Sequence, residues 1–192
     1  MKKILSLFVI VMSLLSTYIR GDSEEERDTC FDGSFTAGYV FKHDHDFKRV
    51  YGRGMINAIT ADGCYYPWQM WGLGAKISYW RARGHTTFLC QCSLVQEIPV
   101  TVYVRWLKDF DCGLQTYLSL GGGFAWIKEK SYLGHVKTYK GIGELEVGAE
   151  YAMCYGLNIV GAFRYIFPPQ SFRCDKIDVG GCDLRAGIGY SF

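Results

Sequence analysis

From Asp183 to Phe192 the chain alternates without a fault. Leu184, Ala186, Ile188, Tyr190 and Phe192 share one face, and Asp183, Arg185, Gly187, Gly189 and Ser191 share the other. Successive side chains of a β-strand point to opposite faces, so this period of two predicts a strand with one apolar face and one small or polar face. No helix could bury that pattern, because its apolar stripe needs a period near 3.6.

The same period recurs upstream. Phe31, Phe35, Ala37, Tyr39 and Phe41 oppose Asp32, Ser34, Thr36, Gly38 and Lys42. Trp71, Leu73, Ala75, Ile77 and Tyr79 oppose Gly72, Gly74, Lys76 and Ser78. Val100, Val102, Val104 and Trp106 face away from Thr101, Tyr103 and Arg105. Thr116, Leu118, Leu120, Phe124 and Trp126 oppose Gln115, Ser119, Gly121, Gly123 and Ala125. Leu145, Val147, Ala149, Tyr151 and Met153 oppose Glu144, Glu146, Gly148 and Glu150. Leu157, Ile159, Phe163, Tyr165 and Phe167 alternate with Asn158, Val160, Ala162 and Arg164. An eighth segment, Tyr51 to Tyr65, alternates poorly and is placed by the gap between Val50 and Pro67.

A half-buried soluble sheet would show the same period, and three features separate the cases. The apolar faces run for about five residues, which suits a tilted strand of ~9–11 residues crossing a bilayer. The opposite faces mix small residues with Asp32, Lys42, Lys76, Arg105, Glu144, Glu146, Glu150, Arg164, Asp183 and Arg185, five of each sign. Equal numbers predict a paired interior rather than an open pore, since buried charges require partners. Aromatics gather at strand ends (Trp68 and Trp71, Tyr79 and Trp80, Trp106, Trp126, Tyr165 and Phe167, Tyr190 and Phe192), as girdles at two membrane interfaces would. Connections alternate as well. Short turns are expected at 66–68, 108–113 and 153–156, and longer loops at 43–50, 81–94, 129–138 and 168–179. The fold predicted is an all-β, eight-stranded antiparallel up-and-down transmembrane β-barrel of the outer-membrane kind, with both termini on the periplasmic side.

Composition agrees. Half the chain is hydrophobic (49%), yet mean hydropathy is only +0.01, the average that lipid-facing and lumen-facing residues in alternation would give. The one long apolar run, Ile4 to Leu15 behind Lys2 and Lys3, reads as a signal peptide over 1–21, followed by an acidic periplasmic lead-in, 22–29, and the barrel domain, 30–192. Removing 1–21 leaves eighteen Lys and Arg against nineteen Asp and Glu, a net charge of −1, so no nucleic-acid partner is expected.

The eight cysteines of an exported chain favour disulfides over a metal site. On the predicted topology Cys30, Cys64, Cys112 and Cys154 fall at the periplasmic end, and Cys90, Cys92, Cys174 and Cys182 at the external end. A bridge spans roughly 7 Å between Cα atoms at most and cannot cross an apolar band of ~25 Å. Pairing is therefore expected within each set, clamping loops; crosslinking to envelope proteins is the alternative. The histidines His43, His45, His85 and His135 all fall in the expected external loops. His43-Asp44-His45-Asp46 has the donor types for zinc or copper but reads more simply as a polar loop.

The closing strand resembles the C-terminal assembly signal of bacterial outer-membrane proteins, with Phe192 last and Tyr190 and Ile188 at alternate positions before it. The whole of 30–192 resembles the small eight-stranded barrels of the OmpA, OmpX and OmpW type. In particular, Tyr117 to Phe124 is similar to their Tyr-x-Gly-x-Gly-x-Gly strand. The resemblance implies residence in outer-membrane lipid and insertion by the outer-membrane assembly machinery, with Ile188, Tyr190 and Phe192 in the recognised end.

No catalytic, cofactor or metal site is expected. Glu144, Glu146 and Glu150 could in principle serve as an acid–base pair, but Lys76, Arg105, Arg164 and Arg185 are nearer partners in the predicted lumen. Gly121-Gly122-Gly123 has no following helix to cradle a phosphate. The expected function is a non-enzymatic outer-membrane barrel with a structural or surface-interaction role. A narrow pore or a passage for small apolar molecules is the alternative, with Gly72, Gly74, Gly148 and Gly187 leaving space. A soluble lipocalin-like barrel would need the opposite orientation, apolar faces inward.

Overall fold

The computed structural model describes residues 30–42, 45–52, 55–68, 70–85, 92–110, 113–131, 134–167 and 180–192. Residues 1–29, expected to hold the signal peptide and the acidic lead-in, lie outside them, as do Cys90, Cys112 and Cys174.

Eight strands close into one antiparallel barrel in sequence order. They are β1 (Cys30–Phe41), β2 (Met55–Trp68), β3 (Trp71–His85), β4 (Cys92–Asp109), β5 (Leu114–Ser131), β6 (Gly134–Ala152), β7 (Leu157–Phe167) and β8 (Gly181–Ser191). β8 pairs with β1 to close the wall, setting Ile188 beside Phe35 and Ala186 beside Ala37. The Phe192 amide donates to the Phe31 carbonyl at 2.9 Å, and its ring lies on Phe31 and Tyr190. The β6–β7 turn, Cys154–Gly156, is tight because Tyr155 (φ 61°) and Gly156 (φ 76°) both take left-handed backbone, as short hairpin turns require.

The residues expected to face lipid do point outward. Val102, Leu120 and Ile188 are 67%, 64% and 62% exposed, while Glu144 and Glu146 are 0% exposed. This inversion of the soluble pattern excludes the lipocalin-like alternative.

Several boundaries differ from expectation. The loop expected at 43–50 carries a helix, α1 (His45–Tyr51), and β2 begins only at Met55. Phe47, Val50 and Tyr51 recur at helical spacing, and Phe47 is buried against Trp80. Of the loop expected at 81–94, residues 81–85 and 92–94 are strand instead, because β3 runs to His85 and β4 starts at Cys92. The loop expected at 129–138 is a continuous ladder from Leu114↔Tyr151 to Ser131↔Gly134. His85 and His135 therefore sit on strands, not in loops. Trp80, expected in a girdle, is 2% exposed and points into the lumen beneath α1, since its neighbour Tyr79 takes the outward position.

The wall is uneven in height. β3 to β6 have 15, 18, 18 and 19 residues, whereas β1, β2, β7 and β8 have 12, 14, 11 and 11. Inside β4, Pro99 has no N–H to donate, and the ladder to β3 breaks between Ile77↔Val100 and Trp80↔Glu97. The ladder to β5 continues past it as Pro99↔Ala125.

Candidate functional site

An eight-stranded barrel encloses a space just wide enough for side chains, and here that space is layered. Toward the loop end, Val40, Phe47, Ile56, Trp80, Ile127 and Ile142 belong to one apolar layer. Toward the turn end, Cys64, Tyr66, Tyr103, Leu107 and Tyr117 form a second. The ionic groups lie between and among these layers.

Glu146 is the hub. It receives Lys76 and Arg185 in close ion pairs, the Tyr117 hydroxyl donates to it at 3.1 Å, and Arg105 stands 3.9 Å away. Lys76 also donates to Glu144 at 3.0 Å. Arg164 joins Glu144 at 3.3 Å to Asp183, to which it donates from Nε at 3.0 Å. Arg105 reaches Asp62 at 2.7 Å and Glu150 at 3.4 Å, with its guanidinium between the rings of Tyr103 and Tyr117 at 5.0 and 4.0 Å. Higher in the lumen, Lys42 pairs with Glu97 at 3.2 Å and lies 4.6 Å from the Trp80 ring.

All ten charges named from the sequence point inward, with Asp32 only half-buried near the turn end. Two members of the network escaped the sequence reading. Asp62 lies on the poorly alternating β2, and Glu97 on the part of β4 next to the stretch taken for a loop. With them the named inward acids number seven against five bases, so the expected equal count is not met.

The space that glycines were expected to open is filled. A Cβ on Gly74 would meet the Tyr103 ring at 2.3 Å, and one on Gly148 the Tyr117 ring at 2.2 Å. Each tyrosine lies against a glycine, and Gly72 is covered in the same way by Cys64 and Tyr66. Among the described residues, an open groove of about 800 Å³ lies on the outer wall. Leu73, Ala75, Val102, Val104, Leu120 and Gly122 line it, all of them lipid-facing positions.

α1 closes the loop end of the lumen. The Phe47 ring stacks on Tyr51 at 4.6 Å and meets Trp80 edge-on at 6.2 Å. The Tyr51 hydroxyl lies 3.0 Å from Ser93 Oγ and donates to Glu129 at 3.2 Å. Burial, with the Glu129 carboxylate adding to it, pushes the Tyr51 phenol up to about 12.

The cysteines do not all follow the expected pairing. Cys64 and Cys92 carry free thiols, and no disulfide forms among the described residues. Cys64 points into the lumen because it falls on the inward register of β2, four residues before that strand ends. Cys92 is exposed on the outer face, 3.7 Å from His85 Nε2. Cys182 takes an outward position on β8 between Phe41 and Tyr165, and Cys30 and Cys154 open β1 and the β6–β7 turn. No cluster of three or more metal-ligating side chains occurs among the described residues, and His43 and Asp44 lie outside them.

No protein-family model matches the sequence, and no curated protein matches it. Solved structures do. A major outer membrane protein of Thermus thermophilus superposes with a TM-score of 0.60 at 12% identity, over 86% of this chain and 100% of that one. Neisserial surface protein A gives 0.57 at 11% identity, over 86% and 100%. Ail, the attachment invasion locus protein of Yersinia pestis, solved with the heparin analogue sucrose octasulfate, gives 0.54 at 15% identity, over 85% and 97%. At such identities the likeness establishes the fold. This chain has the fold of the small eight-stranded bacterial outer-membrane barrels, and its apolar belt faces outward as a membrane-crossing barrel requires.

Proposed function

We propose that the protein is an integral, non-enzymatic barrel of the bacterial outer membrane, in which a closed lumen provides rigidity and the loop end provides an interaction surface. The observation that carries this reading is the inside-out partition. Charged side chains such as Arg164, Glu144, Lys76 and Glu146 are buried in a chain of ion pairs, while large aliphatic side chains ring the outside. Among the described residues, side chains fill the lumen across its width, and no serine or cysteine there lies against a histidine as a Ser–His or Cys–His hydrolase would need. Residues 1–21 direct export and are removed, and 22–29 remain on the periplasmic side. Ile188, Tyr190 and Phe192 form the end recognised by the assembly machinery, consistent with Phe192 closing the β8–β1 seam. The surface role is in keeping with Ail, a barrel of the same fold crystallised with a sulfated ligand.

The test is planar-bilayer recording of the refolded full chain, with folding verified by a band that shifts on heating in a gel. A folded, heat-modifiable protein with no discrete current steps is the expected result. Steady single-channel steps would instead establish passage through the lumen.

A further inference from the structure

Above the outward aromatic row, the tall side of the barrel carries cations without carboxylates. The β3–β6 registers set Arg81 beside Gln96, Gln96 beside Lys128 and Lys128 beside Lys137, one lateral row across four strands. Two residues further up, Arg83, Leu94, Lys130 and His135 form the next row. Every one of these positions has the outward register. Arg81, Arg83, Lys130 and Lys137 are exposed and Lys128 is half-buried. The acids of the same stretch, Glu97 and Glu129, point inward to Lys42 and Tyr51. None of the five Lys and Arg side chains makes an ion pair among the described residues.

Two physical arguments give this wall a ligand. Like charges directly opposite one another on neighbouring strands are destabilising, and Lys128 faces Lys137 with no carboxylate between them. An anion bound across the pair removes that cost. The height of the rows then selects the kind of anion. Tyr79, Trp126 and Tyr139 lie outward one step below, and Gln96 donates to the Tyr79 hydroxyl at 3.4 Å. Interfacial aromatics mark the edge of the hydrocarbon layer. Two residues at ~3.3 Å each, along strands tilted by ~40°, put the lower cationic row roughly 5 Å beyond that edge, within the headgroup layer. The row also faces sideways along the membrane rather than up into water.

We infer that Arg81, Lys128 and Lys137, seconded by Arg83 and Lys130, form a binding wall for the phosphate groups of an anionic lipid in the outer leaflet. The inference rests on the membrane reading above and adds a site to it. Guanidinium and ammonium groups spread over four adjacent strands, each strand ~4.8 Å from the next, suit a headgroup bearing more than one phosphate.

The test uses the refolded full chain in phosphatidylcholine nanodiscs, with bisphosphorylated lipid A as probe and its dephosphorylated form as reference. The wild type should prefer the phosphorylated lipid. Arg81→Gln/Lys128→Gln/Lys137→Gln should weaken that preference on the order of 100-fold, taking each surface cation at its usual worth beside anionic lipid. Lys48→Gln/Arg49→Gln, on the exposed side of α1, should leave it unchanged. Equal binding of the two lipids by the wild type, or an undiminished preference in the triple variant, would overturn the inference. So would soluble polyphosphate competing as well as the lipid, which would make the wall a site for free polyanions. Insertion into plain phosphatidylcholine, read by heat-modifiability, is scored separately. Failure there defeats the membrane reading, whereas insertion without phosphate preference defeats the lipid site alone.

Discussion

Glu146 shows at the scale of one residue how the lumen is held. Two cations and a tyrosine hydroxyl converge on a carboxylate that has no access to water. Removing one member of a buried pair leaves the others desolvated and uncompensated, which typically costs about 3–5 kcal/mol. Glu146→Gln is therefore expected to lower unfolding stability by that amount, measured by urea titration of the refolded barrel in lipid. The hub was legible in the sequence because Glu144, Glu146 and Glu150 alternate against Leu145, Val147 and Ala149. Asp62 was not legible, because the inward face of β2 also carries Ile56 and Ala58, and the contrast between its two faces is weak.

At the scale of an element, α1 is the part of the fold that alternation could not reveal, being seven residues long with only Phe47, Val50 and Tyr51 to mark its face. The same holds for the upper reaches of β3 and β4, for a different physical reason. Within the membrane, apolar residues point out and polar ones in. Beyond it the phase reverses, so that Ala82 and Val95 point in while Arg81 and Arg83 point out. A search for lipid-facing apolar residues stops at that reversal and misreads the remainder as loop, and it takes Trp80 for a girdle residue. β8 and the membrane part of β6, which show the membrane phase clearly, are legible with their facing intact. α1 itself should respond to alkali. Its Tyr51 phenol is raised from 10.0 to about 12, so the docked helix favours the neutral form. That contribution is fully present below pH 10 and is lost as pH rises through about 12. Tryptophan fluorescence, reporting Trp80 beneath Phe47, should show a transition in this window that Tyr51→Phe abolishes.

At the scale of the whole molecule, the unequal strand lengths mean that one ladder passes through two solvents. All 18 residues of β5 pair with β6 without interruption, from the turn end through the apolar belt to a tip standing clear of it. From Gln115 to Lys130 β5 is paired on both sides, so differences in deuterium uptake along that stretch would report the surroundings rather than the bonding. Exchange is expected to be slow through Leu120 and Phe124 and to quicken between Trp126 and Ser131. The residue at which the rate changes would mark the water surface to within one strand step, making this hairpin a depth gauge built into the protein. A rate that stayed uniform to the tip would place the surface higher than the aromatic row does.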